Sequence, residues 1–288
     1  MNLQKKIVDA KKIILVYDRG VMDCKSYVTP KEFSMILREM SLKENYVRDR
    51  YDAVFHLVTA AKGAEEFYTL LNNSARTETP EQARIQDDLL IAAWTGHPHF
   101  RVIDNSTNFE EKLKRLLKEI SHVLGDPLCY EIERKFLIEF PNLAELETKY
   151  NANKTQIVQT YLKSSENEEM RIRQRGNDGD FTYTKTIKSH VSDKKRIEQE
   201  YKITKEEYLN LLVNADPNKR QIRKTRYCLV YENQYFEVDI YPFWTDKAIM
   251  EIELGSEDQE IKFPPEINII KEVTSDDKYK NSSLAKLN

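Results

Sequence analysis

From Tyr130 onward the chain reads largely in alternation. In YEIERKFLIEF (130–140) an extended backbone puts Glu131, Glu133, Lys135 and Leu137 on one face and Ile132, Arg134, Phe136 and Ile138 on the other. Five further segments repeat this pattern, with charges at every second position whose signs sort mostly by strand: MRIRQR (Arg171, Arg173, Arg175), KRIEQEYKI (Arg196, Glu198, Glu200), QIRKTRY (Lys224, Arg226), YFEVDIY (Glu237, Asp239) and MEIELG (Glu251, Glu253). Helical insertions are predicted near Asn142 to Lys149 and Thr204 to Val213. The first 125 residues follow another rhythm. The pattern predicts strands at 13–17 (IILVY), 51–61 and 100–105, alternating with helices at Pro30 to Leu42, Pro80 to Thr95 and Phe109 to Leu124, which suggests a parallel, doubly wound sheet. The change of rhythm places a domain boundary near Gly125 to Pro127, giving domains 1–126 and 127–288 and an α+β protein overall.

Length and composition agree with two cores. The 288 residues are 40% hydrophobic and 32% charged, ordinary for a well-folded chain. A net charge of -3 argues against a general nucleic-acid binder, so any phosphate-binding cluster is local. Cys24, Cys129 and Cys228 stand far apart without a CxxC pair, which suits a reducing compartment, and the protein is read as cytoplasmic. The apolar run near the N-terminus is too short to span a bilayer, so no membrane partner is expected.

The charged faces have two readings. Pointing outward, they would be the solvated side of a sandwich. Pointing inward, they would line a closed antiparallel barrel, which survives only if the lumen is wet and its charges find partners. The opposite faces favour the second reading, because Ile132, Phe136 and Ile138, like Phe236, Val238 and Ile240, form apolar stripes that amphipathic helices could cover from outside. A lumen with Glu-x-Glu pairs and rows of Arg and Lys combines hard oxygen donors for Mg²⁺ or Mn²⁺ with forked donors for phosphate oxygens.

Glu131-x-Glu133-x-Lys135, the Gln159-x-Tyr161-Leu162 strand, the Arg-x-Arg strand, the Lys224 strand, the late Glu-x-Glu strand and the ending VTSDDKYKNSSLA together resemble the triphosphate tunnel metalloenzyme (CYTH domain) superfamily. The resemblance spans about 130–288. It implies an eight-stranded antiparallel β tunnel with flanking helices that binds a small triphosphate and Mg²⁺ or Mn²⁺. Carried over by position, Glu131, Glu133, Glu251 and Glu253 become the metal carboxylates, with Glu200 in support. Lys135, Arg171, Arg173, Lys185, Arg196, Lys224 and Arg226 become the triphosphate clamp, and Lys280 reaches a tunnel mouth. If Lys185 points inward, Lys188 does not. Glu133, Glu200 and Glu253 are candidates for orienting the attacking water, Lys185 joins the catalytic set, and no nucleophilic side chain is required.

DRGVMDCKSY, NNSARTETPEQAR and GHPHFRVIDN are similar to segments of P-loop nucleoside and nicotinamide riboside kinases. That resemblance covers about 5–125 and implies an acid at Asp18 and phosphate contacts at Arg19, Arg76 and Arg84. Yet no GxxxxGK[ST] occurs, so the backbone cradle such kinases use is absent and ATP binding by this half is not expected. A truncated kinase-tunnel fusion is the preferred reading, a scaffold the other. Either way the incomplete α/β unit should expose apolar edges. His56, His97, His99, His122 and His190 lack ligand-like company and receive no metal.

The expected activity is metal-dependent hydrolysis of a small triphosphate, inorganic tripolyphosphate by default. A nucleoside or thiamine triphosphate substrate, an adenylyl cyclase, and a non-catalytic polyphosphate sensor are the alternatives within the same resemblance. The complete set of four glutamates favours an enzyme over a sensor.

Overall fold

The structure is a computed structural model that describes residues 14–68, 78–125, 132–165, 168–192 and 195–287, with only the backbone at 189–192 and 195–198. In the first half, helices α1 (Pro30–Glu39), α2 (Glu44–Arg48), α3 (Pro80–Trp94) and α4 (Phe109–Val123) surround two short parallel strands, β1 (Val54–Leu57) and β2 (Phe100–Ile103). Sequence dictates the helix starts. Thr29 before α1 and Thr79 before α3 each close a capping box, with Glu32 and Gln82 respectively, and a proline opens both helices. Such a cap is worth about 1 kcal/mol. The core here gathers Met22, Phe33, Val47, Trp94 and Phe100.

Within the strand predicted at 13–17, the described residues 14–17 are irregular, and Ile14, Leu15, Val16 and Tyr17 are exposed. A strand is made by its neighbours, and among the described residues β1 pairs only with β2.

The second half contains one antiparallel sheet. Its strands are β3 (Ile132–Glu139), β4 (Asn153–Leu162), β5 (Glu168–Asn177), β6 (Asp180–Ser192), β7 (Lys195–Ile203), β8 (Ile222–Tyr231), β9 (Gln234–Ile240), β10 (Lys247–Leu254) and β11 (Ile269–Glu272). Their order is β11-β3-β10-β9-β8-β4-β5-β6-β7. Eight are long, as expected; β11 is a four-residue addition on the β3 edge.

Helices α5 (Leu143–Lys149), α6 (Lys205–Leu211) and α7 (Asn281–Leu284) complete the chain. The apolar outer face packs Phe136, Ile138, Leu229, Phe236, Val238 and Met250 against Leu146 of α5 and against Ile267. Farther along the sheet, Ile172 packs with Tyr208 of α6. Covering the apolar face leaves the charged face as the lining, because side chains alternate strictly between the two.

The halves are joined by buried polar contacts. Asp49 at the end of α2 bonds Arg48 at 2.9 Å and Arg175 of β5 at 2.8 Å, and Arg48 reaches Asn153 at 3.3 Å. Gly96 lies at φ 100°, donates its N–H to the Tyr235 hydroxyl at 3.2 Å and accepts from Arg175; a Cβ there would collide with the Asn153 side chain. Phe100 stacks edge-on against Tyr235 with ring centres 5.6 Å apart.

His97 sits fully buried in this seam. Its Nε2 faces the Tyr51 carbonyl at 3.1 Å and its Nδ1 accepts the His99 N–H at 3.0 Å, an arrangement that suits the neutral ring. Burial pushes its pKa down to about 3, from 6.5 in the unfolded chain. Between those pH values the unfolded state carries one more proton, so stability is intact above pH 6.5 and falls as pH drops through the window. We expect His97 to contribute a loss of about 1.4 kcal/mol per pH unit there. Urea denaturation at stepped pH should show an acid limb that flattens in His97→Gln; an identical limb would refute the assignment.

Candidate active site

The charged faces meet round one cavity of about 2410 Å³. Glu133 and Lys135 of β3, Arg171 and Arg173 of β5, Glu200 of β7, Lys224 and Arg226 of β8, Glu237 of β9, and Glu251 and Glu253 of β10 all line it. Register explains the convergence. Glu253 lies directly opposite Glu133, and Glu251 opposite Lys135 and Glu237, so the β3–β10–β9 ladder stacks its charges in rows.

The ion pairs form a chain. Lys135 reaches Glu251 at 2.7 Å and Glu133 at 3.6 Å. Arg226 bonds Glu251 at 2.8 Å, Asp239 through two nitrogens at 2.6 and 2.7 Å, and Glu237. Lys224 bonds Asp239 as well, on the Oδ2 that Arg226 Nη2 also reaches, and Asp239 is fully buried. Burial alone would raise the pKa of Glu251, but Lys135, Arg226 and Lys224 outweigh it and hold the carboxyl well below the usual range. Burial would likewise strip Lys135 of its proton, and Glu251 and Glu133 reverse that. For Lys224, burial and the neighbouring Arg226 prevail over Asp239, and its pKa falls.

Arg171, Arg173 and Glu200 line the other side of the cavity. Arg173 has its pKa lowered by burial and by Arg171, and meets Glu200 only at 3.9 Å. Glu200 accepts the Thr186 hydroxyl at 2.9 Å; burial would raise its pKa, but Arg173 and His99 bring it below the ordinary value. Lys280 lies on the wall, paired with Asp277 at 2.5 Å.

Lys185 belongs on the other face. Thr182, Thr184, Thr186 and Lys188 share a face of β6, with Thr186 bonded inward to Glu200 and Thr184 and Lys188 on the lining. Lys185 falls between them, beside outward Ile172. Lys188 therefore holds the place expected of Lys185, since a one-residue shift reverses every side chain of a strand. Glu131 lies outside the described residues, as do the side chain of Arg196 and Arg76. Asp18 and Arg19 are exposed and away from this cavity, while Arg84 bonds the Ala61 carbonyl at 2.7 Å.

Other contributors were not picked out by the sequence. Glu237 and Asp239 carry the same alternation signal as the chosen glutamates. His99 and Arg101, from the first half, also line the cavity, and nothing in their local pattern announces it.

For a divalent cation, Glu133 and Glu253 offer hard oxygen donors on adjacent strands, with Glu251 one step along, and the donor chemistry fits Mg²⁺ or Mn²⁺. Among the described residues no three such groups converge on one point, because Glu251 is drawn to Lys135 and Arg226, and Glu253 to Arg101. Among the described residues no helix is long and apolar enough to cross a membrane.

Comparison with known proteins is consistent with this geometry. Residues 130–273, half of the chain, match the CYTH domain family, and residues 2–112 match an AAA domain family. The inorganic triphosphatase of Nitrosomonas europaea is 33% identical over 159 residues, 54% of this chain and 96% of that protein. A crystal structure of an inorganic triphosphatase is 31% identical, covering 54% of this chain and 94% of its own, with a TM-score of 0.38. A Pyrococcus horikoshii protein is 20% identical over 45% of this chain and 80% of its own, with a TM-score of 0.33.

Proposed function

The chain belongs to the CYTH domain family, and from that premise we propose that it is a triphosphatase that uses Mg²⁺ or Mn²⁺ to hydrolyse inorganic tripolyphosphate. The observation that carries the reading is the single cavity in which Lys135, Arg171, Arg173, Lys224 and Arg226 face one space shared with Glu133, Glu251 and Glu253. A polyanion needs such cations, and a binder alone would not need the carboxylates.

In the proposed reaction the lysines and arginines hold the phosphate oxygens and neutralise charge as it builds on the leaving group. Glu133 and Glu253, with Glu251 and Glu131, would hold the cation, which when bound polarises phosphate oxygens. Glu200 orients the attacking water: it is the lining carboxylate whose contacts are a hydroxyl and a distant arginine rather than a tight ion pair. The water oxygen bonds to the terminal phosphorus, the bridging P–O bond breaks, and phosphate and pyrophosphate leave while the water's proton passes to Glu200 and then solvent.

The test is phosphate and pyrophosphate release from tripolyphosphate, ATP, GTP and thiamine triphosphate, each with Mg²⁺, Mn²⁺ or a chelator. Metal-dependent phosphate release from tripolyphosphate is expected. Pyrophosphate with cyclic AMP from ATP would make the protein a cyclase, and tight tripolyphosphate binding without turnover would make it a sensor. Arg173→Ala should weaken tripolyphosphate binding by about 1.5–3 kcal/mol, the worth of a hydrogen bond to a charged group. Calorimetric titration showing wild-type affinity would remove Arg173 from the clamp.

A further inference from the structure

Each arginine of β5 faces a threonine of β6 on the tunnel wall. Arg175 pairs with Thr182, Arg173 with Thr184 and Arg171 with Thr186, so the two strands present rungs of one cation and one hydroxyl, about 6.8 Å apart along the strand. The outer hydroxyls have partners. Toward the first half, Asp49 accepts from Arg175 at 2.8 Å and from the Thr182 hydroxyl at 3.5 Å, and the Gly96 carbonyl takes the other arm of the Arg175 fork. At the opposite end of the row, Glu200 accepts the Thr186 hydroxyl at 2.9 Å.

The middle rung is different. Among the described residues, Arg173 Nε and Thr184 Oγ1 are both buried with no hydrogen-bond partner, and the Glu200 carboxylate comes only to 3.9 Å from the Arg173 fork, beyond hydrogen-bond distance. Directly across from Arg173 on its other flank, in β4, Gln159 is fully buried; its Nε2 donates to the Tyr161 hydroxyl at 2.6 Å, but its Oε1 lacks a partner as well. Unmatched polar atoms thus lie on one row across β4, β5 and β6.

We propose that this middle rung is where the tunnel wall takes an anionic oxygen of the polyphosphate chain, with the Thr184 hydroxyl as a substrate-binding group beside Arg173 Nε. The proposal rests on the triphosphatase reading for the identity of the chain. A buried hydroxyl or guanidinium N–H without an acceptor is a standing cost to the fold. An arriving acceptor removes that cost, and both residues line the cavity that the substrate would enter. Two donors on one rung suit an acceptor without a proton of its own, and a charged phosphate oxygen makes the strongest bonds of this kind. Gln159 agrees with such a ligand. A half-turn of its amide keeps the Tyr161 contact, with the hydroxyl now donating to Oε1, and aims an N–H where the unmatched oxygen stood.

The experiment uses the full chain as wild type, Thr184→Val and Thr184→Ser. Valine keeps the shape and removes the hydroxyl; serine keeps the hydroxyl. Thermal melts come first. Loss of an unmatched buried hydroxyl should leave the melting temperature of Thr184→Val equal to wild type or a few degrees higher. Calorimetric titration with tripolyphosphate in chelator should show affinity about tenfold weaker in Thr184→Val and within about threefold of wild type in Thr184→Ser, the scale of one hydrogen bond to a charged group. With Mg²⁺ or Mn²⁺, KM should rise by a similar factor while kcat changes less. Because the hydroxyl and Arg173 act on one oxygen, adding Thr184→Val to Arg173→Lys should cost less than the product of the two separate losses.

A hydroxyl that merely packs beside Arg173 would leave the affinity untouched. Wild-type affinity in Thr184→Val, or a loss that Thr184→Ser does not reverse, overturns the inference. So does a Thr184→Val that melts well below wild type, because the hydroxyl would then have its partner within the fold. A wild type that binds tripolyphosphate without hydrolysing it overturns the triphosphatase reading alone, and the affinity comparison still decides the rung. No binding by wild type overturns both.

Discussion

Asp239→Ala is expected to lower the unfolding free energy by about 3–5 kcal/mol, the usual cost of removing one partner from a buried charge network. Asp239 is fully buried and bonds both Lys224 and Arg226, each nearly buried itself. Alanine would remove the carboxylate that Lys224 bonds and leave Arg226 to Glu237 and Glu251. Two cations would then share too few anions in a space where burial already depresses the Lys224 pKa. A fall in melting temperature on the order of 10 °C follows from such a loss. Asp239→Asn keeps the shape and part of the hydrogen bonding and should fall between. Tripolyphosphate offers anionic oxygens to the same two cations, so saturating ligand should restore part of the loss. Thermal melts that superimpose on wild type would show that Lys224 and Arg226 do not depend on this carboxylate.

Glu133→Gln should lower turnover by roughly 10²–10⁴-fold, the range typical of removing a group that acts on a reacting proton or holds its cation in place. The fold should survive, because the Glu133 side chain is 45% exposed and lies 3.6 Å from the Lys135 ammonium, beyond hydrogen-bond distance. Glutamine keeps the size and one acceptor oxygen but loses the charge that attracts a divalent cation. Single-turnover phosphate release at saturating Mg²⁺ and Mn²⁺, beside a melting curve, separates the two effects. Full activity in a folded variant would take Glu133 out of the metal set. Measured together, the two substitutions dissociate stability from turnover within one cavity. Asp239 acts on the first through buried charge, and Glu133 on the second through its exposed carboxylate.

Most strands of the second half were legible because alternation survives in the local sequence. Ile132, Phe136 and Ile138 against Glu133 and Lys135 say which residues share a face whatever the strand pairs with. The sign of the face, inward or outward, was a weaker inference; it rested on helices able to cover the apolar side, and Leu146 and Tyr208 do so. Lys185 was misplaced because TKTIK offers lysines on both faces, and only the bond from Thr186 to Glu200 sets the phase. IILVY was read as a strand from its composition alone, yet a strand also needs a neighbour, which local sequence does not report.

The sequence by itself determined the alternation, the helix caps at Thr29 and Thr79, the families the chain resembles and the residue types available to bind phosphate and metal. These are properties of near neighbours along the chain. Tertiary structure alone decided which charges meet. Asp239 ties Lys224 to Arg226, Asp49 from the first half meets Arg175, and Arg101 rests on Glu253. Coulomb partners in a low-dielectric space are chosen by distance between strands and halves, and those distances exist only once the sheet has curled and the first half has docked.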